Sequence, residues 1–349
     1  MTYPFSVAAA VAALLVLPVS AAAETAPVPS PGEIAAAAPA GDWVVIPASD
    51  LLVMTLAPDA KGRARRVVIQ LMPAPFSQGW IGNIRKLAAA HWWDGVGVYR
   101  VQDNYVAQWG DATDAKALPD GLMTVREDAY SRKLESKAFR TTLRGGEEDA
   151  NPESRDAYLE TRWSQGGDFR GGPMVGKDSY APFALFWRGW PLALQSDAKA
   201  GELFATTNSI WPVHCYGAVG VARNLSPDTG TGAELYAVIG HAPRQLDRNI
   251  AVVGRVIEGI EHLSSLPRGT GALGFYEDAA ERVPILSVRI ASDLPAADRP
   301  VLEYLSTESD SFARYAEARA NRRDPFFIAP AGGADICNIP VPVRPVAAE

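Results

Sequence analysis

The stretch VYRVQDNYVAQWGD, residues 98–111, carries the pattern that decides the fold. Apolar and polar residues alternate along it, which predicts a β-strand that ends at Trp109-Gly110-Asp111. Strand alternation normally sends a charged side chain to solvent, so the simplest interpretation of Arg100 is a surface arginine. The rest of the chain decides whether Arg100 has another role.

Segments on both sides predict more strands and two short helices. Trp80, Ile84 and Leu87 recur at helical spacing in residues 77–90, with Ser77 as the N-cap, and a second helix is predicted at residues 257–266. Many short strands without a regular β-α alternation favour a closed barrel or a sandwich over a parallel doubly wound sheet. The predicted strands cover residues 51–56, 66–72, 215–222, 234–239, 250–256 and 284–290.

The composition is that of an ordinary globular protein. The 349 residues are 48% hydrophobic and 21% charged, which is enough apolar material for a sizeable core. With a formal net charge of −7 and no cluster of Lys or Arg, we expect no nucleic-acid partner. Two cysteines and four scattered histidines lack metal-ligand spacing, so no structural metal is expected, and no motif indicates a cofactor.

The N-terminus predicts export. An apolar run at residues 8–17 is followed by Pro18 and by three alanines ending at Ala23, the pattern of a signal peptide over residues 1–23 that is cleaved near Ala23. No Lys or Arg precedes the run, so an uncleaved anchor is the alternative, but the run is shorter than the ~20 apolar residues of a membrane span. The mature chain is therefore expected to be periplasmic or secreted, without an integral membrane segment.

In an exported chain, Cys215 and Cys337 could form one disulfide. The alternative is a buried free thiol at Cys215 and a cysteine near the surface of the tail. Sequence does not report the distance between the two Cα atoms, so both interpretations stay open.

Three further regions lie outside the strands and helices named above. Residues 24–40 are rich in Pro and Ala and are interpreted as a linker. Between residues 112 and 211 the pattern loosens into turns, with surface loops at 145–156 and 164–173. Residues 306–323 predict a helix packed on the barrel, within a C-terminal extension over 295–349. The proline-rich end of this extension is expected to lack regular structure.

Taken in order, short motifs between residues 51 and 290 resemble the cyclophilin-type peptidyl-prolyl isomerases. They are Ala74-Pro75, Asn83-Ile84-x-x-Leu87, Tyr99-Arg100-Val101, Tyr105 to Asp111, Gly217 to Ala222, Gly232 to Tyr236, and Leu246-Asp247 followed by Val253 to Gly259. The resemblance implies a mainly β fold: a closed eight-stranded antiparallel barrel capped by two helices. This domain spans residues 41–294, with residues 112–211 as a long loop insertion, and the C-terminal helical extension follows it. It also implies an isomerase of X-Pro bonds whose partners are proline-containing segments of exported proteins. Oligomeric state is not encoded in any motif.

By the same resemblance, Arg100 is the catalytic arginine and Gln108 steadies it while bonding the substrate backbone. Rotation about an X-Pro amide crosses a barrier of ~18–20 kcal/mol because resonance ties up the nitrogen lone pair. In the twisted transition state that lone pair localises, and a fixed guanidinium can donate to it only there. The substrate-binding residues implied are Tyr105, Val106, Ala222, Tyr236, Leu246 and Val253.

Several positions depart from the family pattern. Val106 replaces a methionine, Arg223 an asparagine and Glu234 a glutamine, and further changes fall at Gln245, Ile250 and Val253. These changes predict weak affinity for cyclosporin-type inhibitors. They also keep open a catalytically weak proline-peptide binding or chaperone module as an alternative.

A third hypothesis is a hydrolase with Cys215 as nucleophile and His214 as base. Neighbouring residues on a strand point to opposite faces, which disfavours that pair.

Overall fold

The computed structural model describes residues 28–134, 178–196 and 208–346. Within these ranges the helices are α1 (Pro31–Ala36), α2 (Gln78–Ala89), α3 (Glu261–Ser264) and α4 (Asp310–Ala320). The strands up to the middle of the chain are β1 (Trp43–Val45), β2 (Leu51–Leu56), β3 (Arg65–Leu71), β4 (Gly97–Val101), β5 (Val106–Gly110), β6 (Arg132–Leu134), β7 (Phe183–Trp187) and β8 (Trp190–Ser196). The remaining strands are β9 (Asn208–Pro212), β10 (Ala218–Val221), β11 (Leu235–Val238), β12 (Val252–Glu258), β13 (Val283–Ile290), β14 (Leu302–Leu305) and β15 (Val343–Pro345).

Eight strands close into an antiparallel barrel in the order β10-β11-β5-β4-β13-β2-β3-β12, which confirms the predicted fold class. Closure leaves no strand edge unpaired. On β2, Leu52 and Met54 pack inside the barrel core, whereas Leu51 and Val53 pack with Leu302 of β14 in a separate cluster. Strand β2 is buried on both faces because the C-terminal part of the chain covers its outer face.

The two predicted barrel helices are present with changed ends. Trp80, Ile84 and Leu87 of α2 join the barrel core, as their spacing predicts. Ser77 precedes α2 but does not cap it: its φ is 56°, and its hydroxyl donates to the Val252 carbonyl at 2.6 Å. Helix α3 is a single turn, shorter than the predicted 257–266.

The stretch 98–111 is a hairpin, not the single strand that its alternation predicts. Strands β4 and β5 are joined by a tight turn in which the Gln102 amide donates to the Val106 carbonyl at 2.9 Å and Asn104 has a φ of 50°. Asparagine tolerates this left-handed backbone better than most residues. The alternation therefore predicted a strand correctly on each side of the turn, but it did not indicate that the chain reverses between them.

The predicted long loop insertion contains a sheet. Within the described part of 112–211, four strands pair in the order β6-β9-β8-β7. Apolar runs such as Phe183–Trp187 form this sheet because they can bury one face against another element. The loops predicted at 145–156 and 164–173 lie outside the described residues.

Helix α4 packs on this sheet and on α1, which corrects the prediction that it packs on the barrel. Phe312 of α4 meets Phe186 of β7 edge to face at 5.0 Å between ring centroids. Their cluster also holds Trp211 and Ala35, and none of its members lies on a barrel strand. The predicted linker differs too, since residues 31–36 form α1, whose first turn is capped reciprocally by Ser30 and Glu33.

The proline-rich tail has regular structure after all. Strand β15 pairs with β14 at one edge of a three-stranded sheet, β1-β14-β15. Proline is tolerated on an edge strand because no partner needs the missing N–H. Just before this strand, Cys337 forms a disulfide with Cys215, so the open question of pairing is settled in favour of the bridge.

No helix in the described ranges is both long and apolar enough to cross a membrane. The predicted signal peptide, residues 1–23, lies outside the described residues.

Candidate active site

An open groove of about 640 Å³ lies beside the β4–β5 hairpin. Its walls come from the hairpin itself, from residues 111–118, from residues 222–236 and from the turn at Leu273 to Phe275. Six of the predicted site residues line it: Arg100, Tyr105, Val106, Gln108, Ala222 and Tyr236.

Three of these residues stand in one row across the barrel wall. Arg100 on β4 pairs in register with Gln108 on β5, and Gln108 pairs with Tyr236 on β11. Residues directly opposite on neighbouring strands project to the same face. The row therefore gathers the predicted catalytic pair and one wall of the predicted proline pocket.

The Arg100 guanidinium is held in place by several acceptors. Its Nη1 donates to Gln108 Oε1 at 3.0 Å, its Nε donates to the Leu273 carbonyl at 2.8 Å, and its Nη2 donates to the side chain of Gln102. The cation also lies 5.2 Å from the ring centroid of Phe275 and 5.9 Å from that of Tyr105. Partial burial lowers the pKa of Arg100, but a guanidinium stays protonated at neutral pH. The groove therefore presents a charged donor in a fixed orientation.

A β-bulge brings a second residue, Tyr99, to Gln108. The β4–β5 register shifts between Val98 and Arg100, so that Tyr99 and Arg100 both reach the same side chain of β5. Gln108 Nε2 donates to the Tyr99 hydroxyl, and that hydroxyl donates to Glu234 Oε2 at 2.6 Å. With its amide nitrogen engaged by Tyr99, Gln108 turns its carbonyl oxygen toward Arg100.

Glu234, which departs from the family pattern, completes this relay. Its Oε1 accepts from the Asp111 amide at 2.7 Å. Burial, the largest cause, raises its pKa, and burial followed by the nearby Glu234 carboxylate raises the pKa of the Tyr99 hydroxyl. Gly110 makes the fit possible, because a Cβ there would lie 2.0 Å from the carboxylate. Sequence reasoning missed Tyr99, although its position beside Arg100 in the best-matching block was the available signal.

Tyr236 is anchored from behind by a buried histidine. Its hydroxyl lies 3.1 Å from His214 Nε2, and His214 Nδ1 lies 3.0 Å from Asp247 Oδ1. The carboxylate fixes the proton on Nδ1, so Nε2 accepts from the tyrosine. Asp247 in turn accepts from Arg244 Nε at 2.7 Å. These hydrogen bonds give His214 a structural role, in positioning Tyr236. Because Cys215 is bonded to Cys337 and supplies no thiolate, the hydrolase hypothesis is wrong.

Two predicted site residues lie elsewhere. Val253 is 1% exposed and packs inside the barrel core, and Leu246 packs against that core from a short 3₁₀ turn, Arg244–Leu246. Neither belongs to the lining of the groove. The described residues contain no group of three or more His, Cys, Asp or Glu side chains that could hold a metal ion.

Comparison with known proteins identifies the family of the chain. The family model of the cyclophilin-type peptidyl-prolyl cis-trans isomerases matches residues 65–290, more than half of the chain. The crystal structure of the cyclophilin AquaCyp293 from Hirschia baltica aligns at 20% identity over 88% of this chain and 95% of its own, with a TM-score of 0.56. No curated protein sequence matches the chain.

A cyclophilin-type isomerase from Cryptosporidium parvum, crystallised in the presence of the dipeptide Ala-Pro, aligns at 11% identity over 68% of this chain and 98% of its own, with a TM-score of 0.34. At 20% identity the likeness to AquaCyp293 concerns the fold, while the family model concerns the sequence itself. The chain belongs to the cyclophilin-type peptidyl-prolyl cis-trans isomerases.

Proposed function

We propose that the groove isomerises X-Pro bonds of exported proteins, with Arg100 as the donor to the prolyl nitrogen. The observation that carries the proposal is the anchoring of the Arg100 guanidinium by Gln108 and by the Leu273 carbonyl at the groove. A donor that is already oriented loses little free energy in reorganisation when charge develops on the substrate. No nucleophile or proton transfer is needed, because rotation makes and breaks no covalent bond.

The groove also offers a seat for the proline ring. Tyr105, Val106 and Tyr236 are apolar or aromatic, and Ala222 is small enough for a peptide backbone to lie close to it. The ring of Tyr236 crosses Gly220 on the neighbouring strand so closely that a Cβ there would lie 2.3 Å from it. Together with His214 behind it, this packing keeps the aromatic wall rigid.

Export is supported by two independent features. The apolar run at residues 8–17 with its alanine-rich cleavage pattern is typical of a signal peptide. The disulfide between Cys215 and Cys337 is typical of proteins in an oxidising compartment. Both point to periplasmic or secreted clients that contain proline.

The alternative is a proline-peptide binding or chaperone module with little catalysis, and the charged rim favours it. Arg223 lines the groove, and its guanidinium is held by the carbonyls of Asn249 and Asn224 at 3.0 and 2.7 Å. A fixed cation at this position changes which peptide backbones and side chains fit, independently of Arg100.

The two functions separate in one experiment. The cis-to-trans rates of a panel of short X-Pro peptides are measured with the mature chain and with its Arg100→Ala variant. Loss of one preorganised donor costs about 10²- to 10³-fold in kcat/KM. The control is Arg63→Ala, a surface arginine with a 73% exposed side chain on the β2–β3 turn. Equal rates for wild type and Arg100→Ala, with peptide binding retained, would leave the binding module as the function.

A further inference from the structure

A second cavity, of about 370 Å³, is separate from the groove. It opens where β12 of the barrel, β8 of the four-stranded sheet and residues 336–343 meet, and it shares no described lining residue with the groove. Its volume falls in the range of small-molecule sites. Most of its walls are apolar, including Phe186, Trp190, Val213, Val252, Ile336 and Ile339.

One wall carries a guanidinium that has no carboxylate partner among the described residues. Arg255 on β12 donates from Nε and Nη2 to Gln70 Oε1 at 2.9 and 2.8 Å, and from Nη1 to the Gly189 carbonyl at 2.6 Å. All these acceptors are neutral, and no carboxylate of the described residues lies within 4.0 Å of Arg255. A guanidinium has five N–H groups, so two remain available for another acceptor. Burial lowers the pKa of Arg255 to about 10, the expected cost of a charge without a counterion.

Two more donors border the same space. Arg319 of α4 donates from Nε and Nη2 to the Asn338 carbonyl at 2.9 and 2.7 Å, and it also has no carboxylate partner among the described residues. Trp190 is 2% exposed, and its indole Nε1 has no acceptor in the described part of the chain. An unpaired polar atom at this burial is uncommon in a folded protein. The described lining contains neither Asp nor Glu, so the cavity is apolar and positively charged.

We propose that this cavity binds a small organic carboxylate with an apolar body. A carboxylate accepts two parallel hydrogen bonds from a guanidinium and would supply the counterion that the described part of the chain does not give Arg255. The aromatic and aliphatic walls would take the apolar body out of water. A neutral molecule of the same shape would leave the two arginines unpaired.

The disulfide gives this cavity its shape. Cys215, just before β10, and Cys337, in the C-terminal segment, both belong to the lining. Their bond ties two walls that are 122 residues apart in sequence. The site is thus assembled from the barrel, the inserted sheet and the extension, and it is separate from the isomerase groove.

The test uses hydrocinnamate and its neutral counterpart, hydrocinnamyl alcohol, titrated calorimetrically into the full mature chain. We expect hydrocinnamate to bind at one site, with the alcohol at least about tenfold weaker. Arg255→Gln should weaken hydrocinnamate binding by about tenfold and Arg319→Gln by about threefold, while binding of the alcohol stays unchanged. Arg314→Gln is the matched control, because Arg314 lies on the same helix, is exposed and does not line the cavity.

A second pair of probes identifies the source of the carboxylate. Acetyl-Leu-Phe with a free C-terminus and its C-terminal amide test whether the cavity accepts a peptide end. If the free acid of this peptide binds but its amide and hydrocinnamate do not, the ligand is a client C-terminus. If hydrocinnamate binds, the ligand is a free metabolite. Equal affinities for acid and neutral forms, no binding of either acid, or no effect of Arg319→Gln would each overturn the proposal. If Arg255→Gln does not fold, Arg319→Gln and the wild-type comparison of acid with alcohol decide.

Discussion

Replacing Tyr99 with phenylalanine tests the hydrogen-bond relay that orients the proposed catalytic pair, Arg100 and Gln108. The hydroxyl accepts from Gln108 Nε2 and donates to Glu234 Oε2, and Gln108 is only 8% exposed. Removing the hydroxyl leaves the Gln108 amide nitrogen and one Glu234 carboxylate oxygen without a partner. Each such group costs about 1–3 kcal/mol, more when it is charged. We therefore expect Tyr99→Phe to lower the free energy of unfolding by about 2–4 kcal/mol.

The effect on catalysis should be smaller than that of removing Arg100 itself. Arg100 keeps its bond to the Leu273 carbonyl, but the amide of Gln108 is free to rotate and no longer presents its oxygen to Nη1. We expect this loss of orientation to raise the free energy of the transition state by ~1.4 kcal/mol, the size of one hydrogen bond, which lowers kcat/KM about tenfold. Tyr99 acts through Gln108 and is a positioning residue.

The assay combines urea unfolding with the cis-to-trans rate of an X-Pro peptide. The matched control is Tyr276→Phe, which also removes a buried hydroxyl, the one that donates to the Pro267 carbonyl at 2.6 Å, but does so outside the groove lining. Both variants should be less stable than wild type, and only Tyr99→Phe should be slower. Equal kcat/KM for the two variants, or an unchanged stability of Tyr99→Phe, would refute the relay.

Three further changes have expected outcomes. Burial raises the pKa of Glu234 above its ordinary value of 4.5, so the folded state binds the carboxyl proton more tightly than the unfolded chain does. The stability of wild type relative to Glu234→Gln should therefore decrease as pH rises through the range just above about 4.5. Urea unfolding at a series of pH values measures this difference in stability, and a difference independent of pH would contradict the assignment. The double variant Cys215→Ser/Cys337→Ser should lose about 2–5 kcal/mol of stability, because the bridge closes a loop across a separation of 122 residues. Calorimetric melting of oxidised wild type and of the variant tests this, and equal melting temperatures would show that the tail is held without the disulfide. Gly110→Ala should lower stability and displace the Glu234 carboxylate, since the new Cβ would lie 2.0 Å from it; an unchanged melting temperature together with an unchanged isomerisation rate would count against this close packing.

Much of the barrel could be predicted from local pattern alone. Strand β2 was predicted with its observed ends, and the segments that form β3, β11 and β13 were predicted to within two residues. Alternation with period two follows directly from the burial of one face of a strand, so it can be recognised without knowing which strands pair. It does not report chain reversal, which is why the hairpin at residues 102–105 was missed.

The parts outside the barrel were harder to predict because their stability comes from one another. Strand β15 has a proline-rich sequence and exists because β14 offers it an edge. Helix α4 was predicted from its own composition, but the surface it covers is supplied by β7 and α1, which are distant in sequence. Tertiary packing overrides local propensity in such elements.

At the candidate site, the resemblance of the sequence to the family implied which residue types lie together: a guanidinium at Arg100, an amide at Gln108 and aromatic rings at Tyr105 and Tyr236. Short motifs in β4, β5 and β11 carry this resemblance, and they can be matched without knowing how the strands pair. The orientation of Arg100 depends on the folded barrel, because the bulge at Tyr99 and the carboxylate of Glu234, 135 residues away, come together only when β4, β5 and β11 are side by side. Hydrogen-bond geometry depends on distances between atoms of different strands, and those distances exist only after the barrel has closed.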